Sequence, residues 1–258
     1  MRIRYLDIRS AVAGLAILLV SGLPGAAQAA ELKLLVGNAL KTVMDEVGPQ
    51  FEKATGSTLS VTVGTTTQLK GRIDNGEAFD VVILAKPALD DLAAQGKVVG
   101  STRAVIARSG IGVAVRKGAP KLDLGSDDAF KQAMLDAKSI GYVDQTPTAA
   151  ALKSLFAKLG IADAMKSKSM PLNMQAAVAV ANGDVELGLT QISEILPYPG
   201  VELAGPLPPD IQTYTTFAGG VGGAAQDPSG AAALIKFLTG PIAAPVIKAK
   251  GMEPGLTG

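Results

Sequence analysis

The feature that most constrains this chain is an alternation, beginning at residue 32, of short apolar runs with segments whose apolar residues recur every three or four positions. Residues 32–36 form the first apolar run and end at Gly37-Asn38; Leu40, Val43, Met44, Val47 and Phe51 then mark one face of a helix that Thr55-Gly56 stops. Residues 59–63 predict a second strand, and Gly64-Thr65-Thr66-Thr67 turns the chain into a helix holding Leu69 and Ile73. The third run, residues 79–84, is more continuously apolar, as expected of a parallel strand covered on both faces. Three strand–helix units in such a short span require a parallel sheet with right-handed crossovers.

Two further strands are expected at 104–107 and 111–115, with only Arg108-Ser109-Gly110 between them, and the alternation then restarts. A helix over 127–137, a strand over 139–143 and a helix opened by Thr146-Pro147-Thr148 come first. An Ala/Val helix from Asn173-Met174 to Gly183 follows, and then a strand over 185–189 that runs into Thr190-Gln191. A Pro-rich stretch, a strand near 212–217 and two helices after Pro228 and Pro241 close the chain. The layout predicts two α/β lobes, the second inserted into the first. Lobe one takes 30–110 and 200–258, and lobe two takes 111–199.

The 258 residues include no Cys, no His and no Trp. Disulfides, thiolate nucleophiles and zinc or iron–sulfur ligand sets are thereby excluded, as are a Ser-His-Asp triad and any imidazole metal site. No metal and no cofactor is expected. Acid–base chemistry would fall to carboxylates, Lys or Tyr. A net charge of +1, with both signs spread along the chain, speaks against nucleic acid as a partner.

Residues 1–29 read differently. Arg2, Arg4 and Arg9 precede an apolar run over 11–23, and Ala27-Gln28-Ala29 supplies small residues where a signal peptidase cuts. The run is shorter than the roughly 20 residues that span a bilayer. A signal peptide cleaved near Ala29, and hence a periplasmic product, is the expectation. Its loss would turn the net charge to −1. No long heptad pattern or large apolar stripe is present, which favours a monomer.

Ligands of open α/β sheets sit beyond the carboxyl ends of strands, against helix N-termini whose free N–H groups and dipole favour an anion. Four strand-to-helix junctions here carry small polar residues: Asn38, Thr65-Thr66-Thr67, Thr146-Pro147-Thr148 and Asn173. Asn and Thr are also ordinary N-caps, worth about 1 kcal/mol each. Three successive Thr exceed what one cap needs.

The phrases Phe51-Glu52-Lys53-Ala54-Thr55-Gly56, Val63-Gly64-Thr65-Thr66-Thr67-Gln68-Leu69, Gly76-Glu77-Ala78-Phe79-Asp80-Val81-Val82-Ile83 and Ala181-Asn182-Gly183-Asp184-Val185-Glu186-Leu187-Gly188 resemble the periplasmic molybdate-binding proteins of ABC importers. The resemblance covers most of the chain after residue 29. It implies a two-lobed type II periplasmic-binding-protein fold, each lobe a mostly parallel sheet flanked by helices, that closes on its ligand and hands it to a membrane permease. It also implies an oxyanion held by hydroxyls and main-chain N–H groups. Carried over by position, the family's Ser pair falls on Thr66 and Thr67, and its first-helix Ser on Ala39, beside Asn38. Its Pro-Ala-Gly turn falls on Pro147-Thr148-Ala149, its Asn-Val on Asn173-Met174 and its Tyr on Gln191. One hydroxyl and one phenol are lost and two amides gained, which suits a carboxylate at least as well as molybdate. The expected ligand-binding set is Asn38, Thr65, Thr66, Thr67, Thr146, Thr148, Asn173 and Gln191.

The same resemblance takes in aconitate isomerase, a periplasmic enzyme that shifts a double bond by removing one proton and returning another. Binder and enzyme share the fold. Without His, the proton carrier would be Lys86, Asp144, Glu194 or Tyr142, and Lys70, Arg72, Lys86 and Arg103 are the cations expected near lobe-one junctions. A solvated surface position is the simpler account of each of those cations.

Overall fold

The computed structural model of the protein describes residues 31–255, so the expected leader peptide lies outside the described residues. In chain order the elements are β1 (Glu31–Gly37), α1 (Lys41–Thr55), β2 (Thr58–Gly64), α2 (Thr66–Asp74), β3 (Val81–Ala85) and α3 (Lys86–Ala94). The long strand β4 (Ala104–Arg116) leads to α4 (Asp127–Asp136), β5 (Ile140–Val143), α5 (Pro147–Lys158), α6 (Ala162–Lys168), β6 (Ser169–Leu172) and α7 (Ala176–Asn182). The chain then forms β7 (Leu187–Gln191), α8 (Ile192–Ile195), β8 (Val201–Pro206), β9 (Tyr214–Val221), α9 (Pro228–Leu238), α10 (Ala243–Ala249) and β10 (Glu253–Pro254).

The strand order β2-β1-β3-β9-β4-β7-β5-β6 joins two α/β layers through β4. Pairings are parallel within β1–β2, β1–β3, β5–β6 and β5–β7, as the strand–helix alternation demands, and antiparallel wherever β4 or β9 takes part. Helices cover both faces because successive side chains of a strand point to opposite sides. Leu32, Leu34 and Val36 of β1 pack with Val43, Val47 and Phe51 of α1 and Leu234 of α9. Leu35, between them, joins Leu69, Ile73, Leu89 and Leu92 on the other side. In the second layer Ile111, Val113 and Val115 face Phe130, Leu152 and Leu189, while Ala114 turns to Ala177 and Val180. Helix stops follow the sequence: Gly56 and Gly183 cap α1 and α7 at φ of 76° and 86°, the left-handed region that glycine enters without strain.

Two expectations change. The strands expected at 104–107 and 111–115 are one strand, β4. Arg108-Ser109-Gly110 has the composition of a turn, yet it stays extended because β9 pairs with 104–110 and β7 and β8 take over from 111. The boundary placed at residue 200 also moves. Val201–Pro206 forms β8 on the second-layer half of β4, and Leu207 and Ile211 join the second-layer core. Prolines at both ends of that stretch hide an edge strand from sequence patterning. The α6–β6 unit, too short for a clear period, is likewise an addition.

Asp80 ties the first layer together. Its buried carboxylate accepts the backbone N–H of Lys33 at 2.8 Å, Gln226 at 2.6 Å and Asp227 at 3.5 Å. Two segments far apart in sequence thus donate to one carboxylate on a third, and removing it leaves buried donors unmatched. Asp80→Ala should lower the free energy of unfolding by about 3 kcal/mol in urea titrations, with the midpoint shifted and the slope unchanged.

Candidate anion cleft

The carboxyl ends of β1, β2, β5 and β7 all deliver the chain to one cleft between the layers. It is about 550 Å³ with its open mouth included, and Asn38, Thr65, Thr66, Thr146, Thr148, Gln175, Thr190, Gln191, Glu194 and Thr215 supply its polar wall. Six of the eight residues expected from sequence are therefore brought together. Thr67 and Asn173 line an adjoining outer groove instead.

The polar groups divide by what they have left to give. Thr65 is spent as a cap: its hydroxyl accepts the N–H of Gln68 at 3.2 Å, and the Gln68 amide oxygen accepts the N–H of Thr65 at 3.0 Å. Thr146 is spent as well, donating its hydroxyl to Val143 O at 2.9 Å and accepting from Ala149 N at 3.1 Å. Thr66 accepts the N–H of Ala85 at 3.3 Å, which leaves its own hydroxyl proton for the cleft. Thr148 and Thr215 are in the same condition, because each accepts from the Gln191 amide nitrogen, at 2.8 and 3.0 Å. The first N–H groups of α2 and the N–H of Thr148 have no intrahelical acceptor. These donors aim positive dipole ends at the cleft from both layers.

Thr67 acts elsewhere. Its hydroxyl donates across the cleft to the carbonyl of Gln145 at 2.6 Å, a bond that joins the two layers directly. Gln145 sits at φ 54°, the only positive φ of a non-glycine residue among the described residues. A side chain in that region is uncommon and costs local strain. The turn that presents the acceptor is held in shape despite that cost.

Among the described residues no Lys or Arg lines this cleft, although Lys70 and Lys86 line an adjoining opening that shares Thr66, Thr146 and Thr215 with it. The expected cations are neutralised on the surface of the first layer. Lys70 pairs with Asp74 and Asp91, Arg72 with Glu77, and Lys86 and Arg103 with Asp90. Of the expected proton carriers, Asp144 is an exposed partner of Lys153, which holds its carboxyl below the usual range, and Tyr142 belongs to the second-layer core. Glu194 alone remains in the cleft. Among the described residues it is the only ionisable side chain in the wall, and burial pushes its carboxyl above the usual range, against the opposing pull of the Thr190 hydroxyl and the Gln191 N–H. Thr215 and Gln175 were not expected. Thr215 comes from the start of β9, where no strand-to-helix junction marks it. Gln175 stands two residues beyond Asn173, because α7 starts later than the Asn173-Met174 signal suggests.

Comparison with known proteins agrees with this architecture. A family model described as bacterial extracellular solute-binding protein matches residues 32–253. An aconitate isomerase from a Pseudomonas species is 34% identical over 230 residues, covering 86% of this chain and 87% of that protein. The molybdate-binding protein ModA of Azotobacter vinelandii is 30% identical over 233 residues, covering 88% and 91%. Among solved structures, the A. vinelandii periplasmic molybdate-binding protein superposes with a TM-score of 0.75 at 20% identity, over 87% of this chain and all of that one. The sulfate-binding protein SubI of Mycobacterium tuberculosis gives 0.72 at 15% identity, over 87% of each chain. The chain belongs to the bacterial extracellular solute-binding proteins, and it has the two-lobed α/β fold of their periplasmic members.

Proposed function

We propose that the chain captures a small anion, either a molybdate-like oxyanion or an organic carboxylate, in the cleft and delivers it to the membrane permease of an ABC importer. The observation that carries this reading is the wall itself: hydroxyl protons and free helix-start N–H groups converge from both layers, with no cationic side chain among them. Such donors stabilise an anion without giving up specificity to any passing counter-ion. The protein would work in the periplasm as a monomer, after a leader is removed near Ala29. The set Asn38, Thr66, Thr148 and Gln191, joined by Thr215, is proposed to touch the anion, with Thr65 and Thr146 shaping the helix starts.

A second reading has one specific observation behind it. Glu194 is a carboxyl of raised proton affinity placed in the cleft. On a bound unsaturated polycarboxylate it could take a proton from one carbon while the double bond moves one position, then return a proton to the far carbon. That would be an aconitate-isomerase-like step requiring no other reactant.

Thermal shift with molybdate, tungstate, sulfate, citrate and the two aconitates separates these readings. A ligand at a hundredfold excess over its Kd should stabilise the fold by about 2.7 kcal/mol. Absence of a shift with any inorganic oxyanion, together with ultraviolet-detected interconversion of cis- and trans-aconitate that Glu194→Gln abolishes, would replace capture by catalysis. Thr67→Val should weaken every bound anion by the same factor of about five, because it removes one inter-layer hydrogen bond of about 1 kcal/mol and no ligand contact. Glu194 also has a pH signature. Its raised proton affinity in the fold contributes stability that is complete below the ordinary carboxylate range and is lost as pH rises through its own pKa. Glu194→Gln should therefore melt like the parent near pH 4 and at higher temperature than the parent near pH 8.

A further inference from the structure

Gln191 ends β7 with 3% of its surface exposed. Both hydrogens of its side-chain amide are committed, one to Thr148 Oγ1 at 2.8 Å and one to Thr215 Oγ1 at 3.0 Å. Its Oε1 is shielded from solvent and meets no donor of the protein. Gln175 Oε1, at the foot of α7 in the same cleft, is in the same condition. The wall thus pairs available hydroxyl protons with amide oxygens that accept nothing. An unmatched buried acceptor is costly, and such groups in folded proteins call for a partner that arrives from outside.

A fully deprotonated tetrahedral oxyanion offers lone pairs in every direction. It would satisfy Thr66, Thr148 and Thr215 and set an oxygen against Gln191 Oε1, with repulsion in place of a bond. An anion that carries one proton on oxygen satisfies both sides at once. The geometry points to a ligand of this kind: a small anion bearing its own hydrogen-bond donor, either a hydroxyl on a carboxylate or a protonated oxygen on an inorganic oxyanion, which Gln191 Oε1 reads. This inference rests on the anion-capture function and narrows it. Gln191 has two tasks in it. Its nitrogen fills lone pairs of Thr148 and Thr215, so that their protons turn to the anion's bare oxygens, and its oxygen accepts the anion's proton. A site built around a ligand hydroxyl discriminates strongly against the analogue lacking it, because the protein's own polar group is then left unpaired.

Titration calorimetry near pH 7 with matched pairs tests this directly. Hydrogen phosphate against sulfate probes the inorganic source of the donor. Malate against succinate and citrate against tricarballylate probe the organic one. The expected result is that the donor-bearing member binds at least tenfold tighter in at least one pair, and that Gln191→Leu reduces the ratio to within about twofold. Gln175→Leu, on a separate element, should reduce it in the same direction, and it provides an independent variant if Gln191→Leu does not fold. Equal affinities within every pair, or a preference for sulfate and succinate, would overturn the inference while leaving anion capture intact. Failure of all six compounds to bind the folded parent at millimolar concentration would overturn the inference, and anion capture as well if molybdate, tungstate and the aconitates also fail to bind.

Discussion

The rest of the molecule depends on one strand passing from one sheet into the other without a break. Over β4 the hydrogen-bond partner changes from β9 to β7 and β8 at residues 110–111. A strand cannot change partners without leaving backbone groups momentarily unpaired. Here the side-chain amide of Gln212 closes the gap, donating to Ile111 O at 2.9 Å and accepting from Ile111 N at 2.9 Å. Ser109 lies fully buried at the crossing, 3.5 Å from the hydroxyl of Ser193. The cleft lies where the strand ends of both layers converge. The Thr67–Gln145 bond adds a second, direct tie between the layers.

The electrostatics of the cleft follow from what was kept out of it. Surface ion pairs hold the cations of α2 and α3 in place, and exposed pairs of that kind contribute little to stability. Their effect is to leave the cleft with dipoles, hydroxyls and one carboxyl. Fixed N–H groups and hydroxyl protons need no reorganisation when an anion arrives, and they read its shape and proton count in a way that a mobile ammonium group cannot. Glu194 sets a limit on what enters, since its negative form would repel the anions that the donors attract.

Much of the lining of the candidate cleft is legible in the sequence because parallel sheets bring their strand-to-helix junctions to one edge. Asn38, Thr66, Thr148 and Gln191 stand at four such junctions and meet in one cleft. Thr67 lines the adjoining groove rather than the cleft for a local reason: one step along a helix turns a side chain by about 100°, and that step carries its hydroxyl to Gln145 of the opposite layer. Asn173 and Gln175 were exchanged because a helix start cannot be fixed to within two residues from composition. Thr215 had no signal of its own, since it reaches the cleft only through the pairing of β9 with the crossing strand. Arg108-Ser109-Gly110 looked like a turn because the sequence does not show that a new partner strand takes over at residue 111.

The central claim is that the anion is held by dipoles and hydroxyls in a cleft without cations. Measuring the affinity of the tightest-binding anion at ionic strengths of about 0.01 M and 0.5 M tests it most directly. Charges on exposed lysines would be screened across that range, whereas buried hydrogen bonds would not. The account predicts a Kd that changes by no more than about twofold. A loss of affinity of tenfold or more would mean that surface cations hold the ligand, and it would contradict the account.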